Sequence, residues 1–292
     1  MRSVAFGSCN NQNDLQPLWK DLLGQKPDLW IWGGDIIYAD WGKTSIEAAY
    51  KKLLANPDYQ EVKAQIPMIG TWDDHDFAFD NADGTVAVDK KKESQKQFLD
   101  FFEIPLDHPR RNQEGVYHSI DMGEGDQKIK FIMLDNRYFK NLDPKAPMLG
   151  EIQWEWLENE FKASTANLHV IVSGLSIFSP LLPYTDEWWQ YPREVTRMLD
   201  LLKKYNVKAP FFLSGDKHFS AIFKYSNQLE FMSSGMTHVA PKKTWWYLGK
   251  KYPITYFGLS YGRFDIDWDG NMPKLKLFMR DGKRDINTTK AE

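Results

Sequence analysis

Of the 292 residues only one, Cys9, is a cysteine, so no disulfide can close within the chain. That leans toward a reducing compartment, although secreted proteins without disulfides exist. No apolar run reaches the ~20 residues that a membrane-spanning helix needs. Neither sign of charge prevails: 37 Lys and Arg against 40 Asp and Glu leave a formal net charge of −3. A balance of that kind argues against a nucleic-acid tracking surface or a polybasic membrane anchor. Solenoid-type repeats and low-complexity linkers are also missing, so one domain over 1–292 is expected, with a polar tail from about Asp281 that should fray. The segment Met1-Arg2-Ser3-Val4-Ala5-Phe6 carries no secretory h-region. The expectation is a periplasmic or secreted chain whose signal has been removed, or else a cytoplasmic one. Asn287-Thr288-Thr289 matches a glycosylation acceptor.

What the chain does contain is enough apolar material for a large core: hydrophobic residues make up 42% and charged ones 26%. Its 12 Trp, 13 Tyr and 18 Phe are spread along the sequence, which favours core packing over stacking on sugars or lipids. Strand-like and helix-like stretches alternate, the signature of a layered α/β domain. Strands are expected at Ser3 to Ser8, Asp28 to Trp32, Pro67 to Thr71, Ile129 to Leu134, His169 to Ser173 and Pro210 to Leu213. Helices are expected at Leu15 to Leu23, Ser45 to Leu54, Tyr59 to Gln65, Asp89 to Phe102, Gly150 to Phe161 and Arg193 to Tyr205. Ile222 to Ser234 and Tyr256 to Met279 alternate and carry turn residues, so they read as antiparallel strands.

Five apolar strands end in polar clusters: Cys9-Asn10, Gly34-Asp35, Trp72-Asp73-Asp74-His75-Asp76, Asp135-Asn136-Arg137 and Gly215-Asp216-Lys217-His218. Ligands of α/β sheets bind outside the carboxyl ends of strands, so these clusters can converge on one edge. In Gly34-Asp35-Ile36-Ile37-Tyr38 a carboxylate and a phenol three residues apart can reach one cation; by itself the pair reads as readily as a capping Asp and a packed Tyr. The run Asp73-Asp74-His75-Asp76 puts three carboxylates within four residues, and these repel one another unless something positive sits among them. Asp216 and His218 can face the same way, or form a solvated turn. Cys9 at a strand end reads as a ligand rather than a small buried hydrophobe. A thiolate beside a phenolate and carboxylates suits a ferric ion better than magnesium.

The motifs Gly34-Asp35-x-x-Tyr38, Trp72-Asp73-Asp74-His75-Asp76, Leu134-Asp135-x-Arg137 and Gly215-Asp216-x-His218 resemble those of the PhoD-type alkaline phosphatases. These are a branch of the calcineurin-like metallophosphoesterases, related to the purple acid phosphatases. Leu149-Gly150-Glu151-x-x-Trp154-x-x-Leu157 and Ser233-Ser234-Gly235-Met236-Thr237-His238 are similar too. The resemblance implies a four-layer αββα sandwich with mixed sheets and a binuclear centre. Asp35 would bridge the two ions. Cys9, Tyr38 and His218 would hold the first, expected to be Fe(III). Asp74 and Asp216 would hold the second, expected to be Ca(II), with other divalent ions as alternatives. His75 stands at the place of the catalytic histidine, and Arg137 would grip a phosphate oxygen or serve as a structural ion pair. Two departures stand out: Cys9 replaces the usual Asp-x-His, and Leu175-Ser176 follow the strand after which a lone histidine is expected.

The function so implied is hydrolysis of phosphate mono- or diesters by metal-activated water. A phospholipase-like diesterase on the same site is the nearest alternative. A non-catalytic carbohydrate-binding or scaffold protein with a structural calcium is the more distant one.

Overall fold

A computed structural model describes residues 1–143, 145–179, 186–251 and 254–291. Two mixed sheets form its centre. The first contains, in spatial order, β13 (Asp285–Ala291), β12 (Met272–Arg280), β11 (Tyr261–Asp269), β1 (Ser3–Gly7), β2 (Leu29–Gly33) and β3 (Met68–Thr71). The second runs β10 (Ile254–Tyr256), β8 (Ser220–Tyr225), β9 (Gln228–Ser233), β7 (Pro210–Ser214), β6 (Leu168–Val172), β5 (Ile129–Met133) and β4 (His118–Met122). β1, β2 and β3 are mutually parallel, as are β5, β6, β7 and β9; the later strands join antiparallel.

Alternation along the strands makes the layers. Val4, Phe6, Leu29 and Ile31 point inward and meet Ile129, Phe131, Val170 and Leu213 from the other sheet. Their neighbours Ala5, Trp30 and Trp32 point outward. There they meet α1 (Trp19–Gln25), α2 (Ile46–Leu54), α3 (Pro57–Gln65) and α5 (Val88–Phe101). On the far side Ile132, Ile171 and Phe212 pack against α6 (Glu151–Ala163) and α7 (Pro192–Lys204). Period-two strands buried on both faces therefore yield a helix–sheet–sheet–helix sandwich. This is the four-layer architecture expected above. α4 (Asp74–Phe77) is a single turn, and α8 (Lys242–Lys251) crosses the carboxyl edge of the second sheet.

The helix expected from Leu15 starts only at Trp19. Pro17 disfavours helical backbone at the residue before it. The tail expected to fray from Asp281 instead returns as β13, paired antiparallel with β12. Arg280 reaches across to Asp285 at 2.7 Å and helps hold it. The backbone of Asn287-Thr288-Thr289 belongs to that strand, while its side chains lie outside the described residues. β4 and α8 have no counterpart in the sequence reading, because half-exposed elements carry weak periodicity.

Candidate metal centre

The parallel strands of both sheets end along one edge, and most of them deliver part of one cluster. After β1 the chain turns at Cys9, after β2 at Asp35, and after β7 at Asp216 and His218. All four residues adopt left-handed backbone, with φ of 59°, 49°, 72° and 59°. For non-glycine residues such conformations cost of order 1–3 kcal/mol each and cluster at functional sites. Two glycines let the loops approach: a Cβ on Gly34 (φ +91°) would lie 2.7 Å from Asp73 Cβ, and one on Gly215 would lie 2.7 Å from the Gly33 carbonyl.

Supporting carboxylates fix these loops. Asp76 accepts from the backbone N–H of Ile36 (2.9 Å), Ile37 (3.1 Å) and Asp73 (3.2 Å), tying the β2 loop to the β3 loop. Asp135 accepts from the N–H groups of Val116, Arg137 and Tyr138. Both are spent on backbone, so they shape the site without being ligands.

Three groups of donor atoms result, each with all its atoms within 4.8 Å of one another: Cys9, Asp35 and His218; Asp35, Asp74 and His75; Asp73, Asp74 and Asp216. Asp35 belongs to the first two, and Asp74 to the last two. The Tyr38 hydroxyl joins the first group, donating to Asp35 Oδ2 at 2.9 Å and lying 3.3 Å from His218 Nε2. Each of the six sequence-expected ligands is therefore in one cluster. Ser234 accepts from the His218 N–H at 2.7 Å and sits 3.0 Å from Cys9 Sγ.

The donor set fits cations. Asp73 Oδ2 and Asp74 Oδ1 are buried with no hydrogen-bond partner. Burial, then Asp74 and Cys9, push the Asp35 carboxyl well above the usual range. Burial likewise drives the Asp73 carboxyl up, against the pull of Arg137. Burial also works against the Cys9 thiolate, but His218 and Ser234 more than offset it and hold the thiol below its ordinary value. The protein has thus gathered more negative charge than its own cations balance, and a bound metal ion is the economical counter-charge.

The expected contact between Arg137 and substrate is not where the geometry puts that residue. Arg137 is fully buried. Its Nε pairs with Asp73, and its Nη1 binds Asp186 at 2.7 Å and the Ala82 carbonyl at 3.2 Å. Its Nη2 has no hydrogen-bond partner and lies 3.7 Å from Asp74 Oδ1 and 4.0 Å from Asp216 Oδ1. These contacts are what the structural ion-pair alternative calls for. Lys217, the unassigned residue between Asp216 and His218, has a buried side chain whose Nζ donates to the Asp186 carbonyl at 2.7 Å and lies 3.3 Å from Asp216.

Sequence reasoning also missed Asp40, Asp186 and Trp41. Asp40 Oδ1 lies 2.8 Å from His75 Nδ1. Burial opposes a charged His75, yet that hydrogen bond and Asp74 raise its pKa to about 9. Asp40 follows the Gly-Asp-x-x-Tyr motif by two residues, and that proximity was the available signal. Trp41 covers Tyr38 and His75 at ring distances of 4.6 and 5.2 Å. His238 Nε2 stands 3.2 Å from His218 Nε2. At the place of the missing lone histidine, Gly174 abuts Asp73, and the Ser176 hydroxyl donates to Glu230 at 2.8 Å. No metal donor stands there. A cleft of about 610 Å³ opens over Asp35, Asp74, His75, Asp216 and His218, with Lys243 and Tyr247 of α8 on its far wall.

The two-sheet sandwich, with this cluster at its carboxyl edge, has the fold of PhoD. The structure of PhoD superposes with a TM-score of 0.74 at 17% identity, over 99% of this chain and 68% of that one. GAP50, the anchor in the inner membrane complex of Plasmodium, gives 0.60 at 10% identity, over 99% and 88%. Alkaline phosphatase D of Bacillus subtilis (strain 168) is 23% identical over 275 residues, which span 75% of this chain and 46% of that protein. The chain therefore matches about half the length of that curated relative. The family model of PhoD-like phosphatases matches residues 46–244, and the chain belongs to that family.

Proposed function

We propose that the chain hydrolyses phosphate esters at a binuclear metal centre. The observation that carries this reading is the sharing of Asp35 and Asp74 between neighbouring donor groups, which is what two adjacent ions require. Cys9, Tyr38 and His218, with Asp35, would hold the first ion; thiolate, phenolate and imidazole favour Fe(III). Asp35, Asp74 and Asp216 would hold the second, and an all-oxygen set suits Ca(II) or another hard dication. Asp73 adds a further carboxylate to this pole. When bound, such ions supply Lewis acidity toward phosphoryl oxygens and make water nucleophilic near neutral pH.

The remaining steps belong to the chain. His75 lines the cleft while Asp40 holds its Nδ1, so the ring is oriented with Nε2 available to protonate a leaving alkoxide, worth roughly 10²–10⁴-fold. Lys217, whose Nζ donates to the Asp186 carbonyl and lies 3.3 Å from Asp216, is a second buried counter-charge to the carboxylates. Arg137 keeps Asp73, Asp74 and Asp216 together from behind. The cleft continues past the donors to Lys243 and Tyr247, which leaves room for a substituent on the ester.

Protein purified without chelator, assayed on a mononitrophenyl and a bis-nitrophenyl phosphate, tests the reading. Hydrolysis should vanish with chelator and in Asp35→Asn and Asp74→Asn. A faster rate on the bis ester would support the diesterase; full activity in both variants would sink the metal-centre reading. Background hydrolysis of every ester by metal-loaded protein would leave the scaffold alternative.

A further inference from the structure

We propose that the outer face of α8 docks onto an anionic lipid bilayer. Among the described side chains of this helix, the exposed ones are Lys242, Lys243, Trp246, Tyr247 and Lys250. Their spacing puts them on one stripe. Trp246 is 72% exposed and Tyr247 44% exposed. The helix contains no acidic residue. Its opposite face is already satisfied: Leu248 packs with Phe219, Ala221 and Met232, and Trp245 stacks on Phe257 at 5.3 Å while its Nε1 donates to the Ala240 carbonyl at 2.8 Å. The large aromatics outside are therefore not left over from core packing. Lys250 Nζ stands 3.7 Å from the centre of the Trp246 ring, so charge and aromatic surface are presented together.

This composition selects the partner. The buried centre of a protein–protein contact is depleted in lysine. Two copies of this face laid together would oppose lysines to lysines, which disfavours a symmetric dimer. The headgroup region of an anionic bilayer accepts both groups: indole and phenol rings settle at its polar boundary, and lysines meet lipid phosphates. Because the apolar inner face is used by the protein itself, the contact is shallow and salt-sensitive rather than an inserted helix. The same edge carries two more exposed aromatics beside cleft residues, Trp41 at 50% and Phe79 at 55%. The neighbouring cleft is acidic, with Asp80 exposed at its rim, so the basic surface is local to α8. The net charge of −3 hides this local patch.

The test is flotation of the full chain with vesicles of phosphatidylcholine, with and without phosphatidylglycerol. Partitioning is expected only onto the anionic vesicles and should weaken as salt is added. A lysine at an anionic surface contributes about 1 kcal/mol, about fivefold, so Lys242→Ala combined with Lys250→Ala should lower partitioning about 25-fold. Trp246→Ala should lower it about tenfold. None of these side chains lines the cleft, so hydrolysis of a soluble nitrophenyl ester and the circular dichroism spectrum should match the wild type. Three results would overturn the proposal: no binding of the wild type to anionic vesicles, equal binding by all variants, or a concentration-dependent dimer that Trp246→Ala abolishes. The last would assign the face to a second copy.

Discussion

Replacing Arg137 by Met tests the electrostatic design of the centre most directly. The side chain is fully buried and surrounded by Asp73, Asp74, Asp186 and Asp216. Methionine fills much of its volume but removes the only guanidinium among these carboxylates. Two of them, Asp73 and Asp186, lose a direct charge-assisted bond. Removing one partner of a buried ion pair typically costs about 3–5 kcal/mol, because the charge left behind is uncompensated. At about 2 °C per kcal/mol for a chain of this size, the midpoint of thermal unfolding should fall by about 6–10 °C. The measurement is urea and thermal unfolding of chelated wild type and Arg137→Met side by side, so that both start without metal. Arg137→Lys should recover part of the loss, since it keeps the charge but not the fork that serves Asp73 and Asp186 together. Were Arg137 a substrate contact instead, Arg137→Met would cut turnover and leave unfolding nearly unchanged. A stability loss below about 1 kcal/mol would refute the counter-charge reasoning.

Other expectations are separable from this one. His75→Ala should slow hydrolysis of esters with poor leaving groups about 10²-fold or more while sparing good ones, with metal content retained; an equal loss on both series would remove His75 as the general acid. Asp40→Asn should reproduce a weaker version of the same pattern, since it loosens the ring's orientation and removes one of the groups that raise its pKa. If the first ion is ferric, purified protein should be coloured, Tyr38→Phe should shift or bleach the visible band, and Cys9→Ser should loosen the iron; colourless, iron-free and fully active protein would withdraw the Fe(III) assignment. Arg280 grips Asp21 through two bonds of 2.8 and 2.9 Å. Burial works against the Asp21 charge, but Arg280 and Tyr261 more than offset it and hold its pKa below the usual value. That stability is present above the ordinary carboxylate pKa of about 4 and lost as pH falls through the lower folded value. Arg280→Met should therefore cost about 1.5–3 kcal/mol at pH 7 and clearly less at pH 3, read from urea midpoints; a pH-independent deficit would contradict the linkage.

Much of the layered fold and most of the donor set could be read from the chain. Continuous apolar runs such as Leu29 to Trp32 and Phe131 to Leu134 mark strands buried on both faces, and a strand that ends in Gly-Asp or Cys-Asn announces where its loop points. Local chemistry left Asp35 with Tyr38 open to a cap and a packed ring, and Asp216 with His218 open to a solvated turn; the resemblance named the full set of Cys9, Asp35, Tyr38, Asp74, Asp216 and His218, and the fold brings those side chains together. What the chain could not reveal were relations between residues far apart in sequence. The sequence around Arg137 does not say that Asp73, Asp186 and Ala82 close around it; that depends on three separate loops meeting. Asp40 became the partner of His75, and His238 the neighbour of His218, by the same meeting of strand ends. The tail became β13 because β12 offered it an unpaired edge, a property of the assembled sheet and not of the tail's polar residues. Side-chain type is set one residue at a time, but burial and pairing are set by which surfaces the fold brings into contact, and those contacts exist only once both sheets have closed.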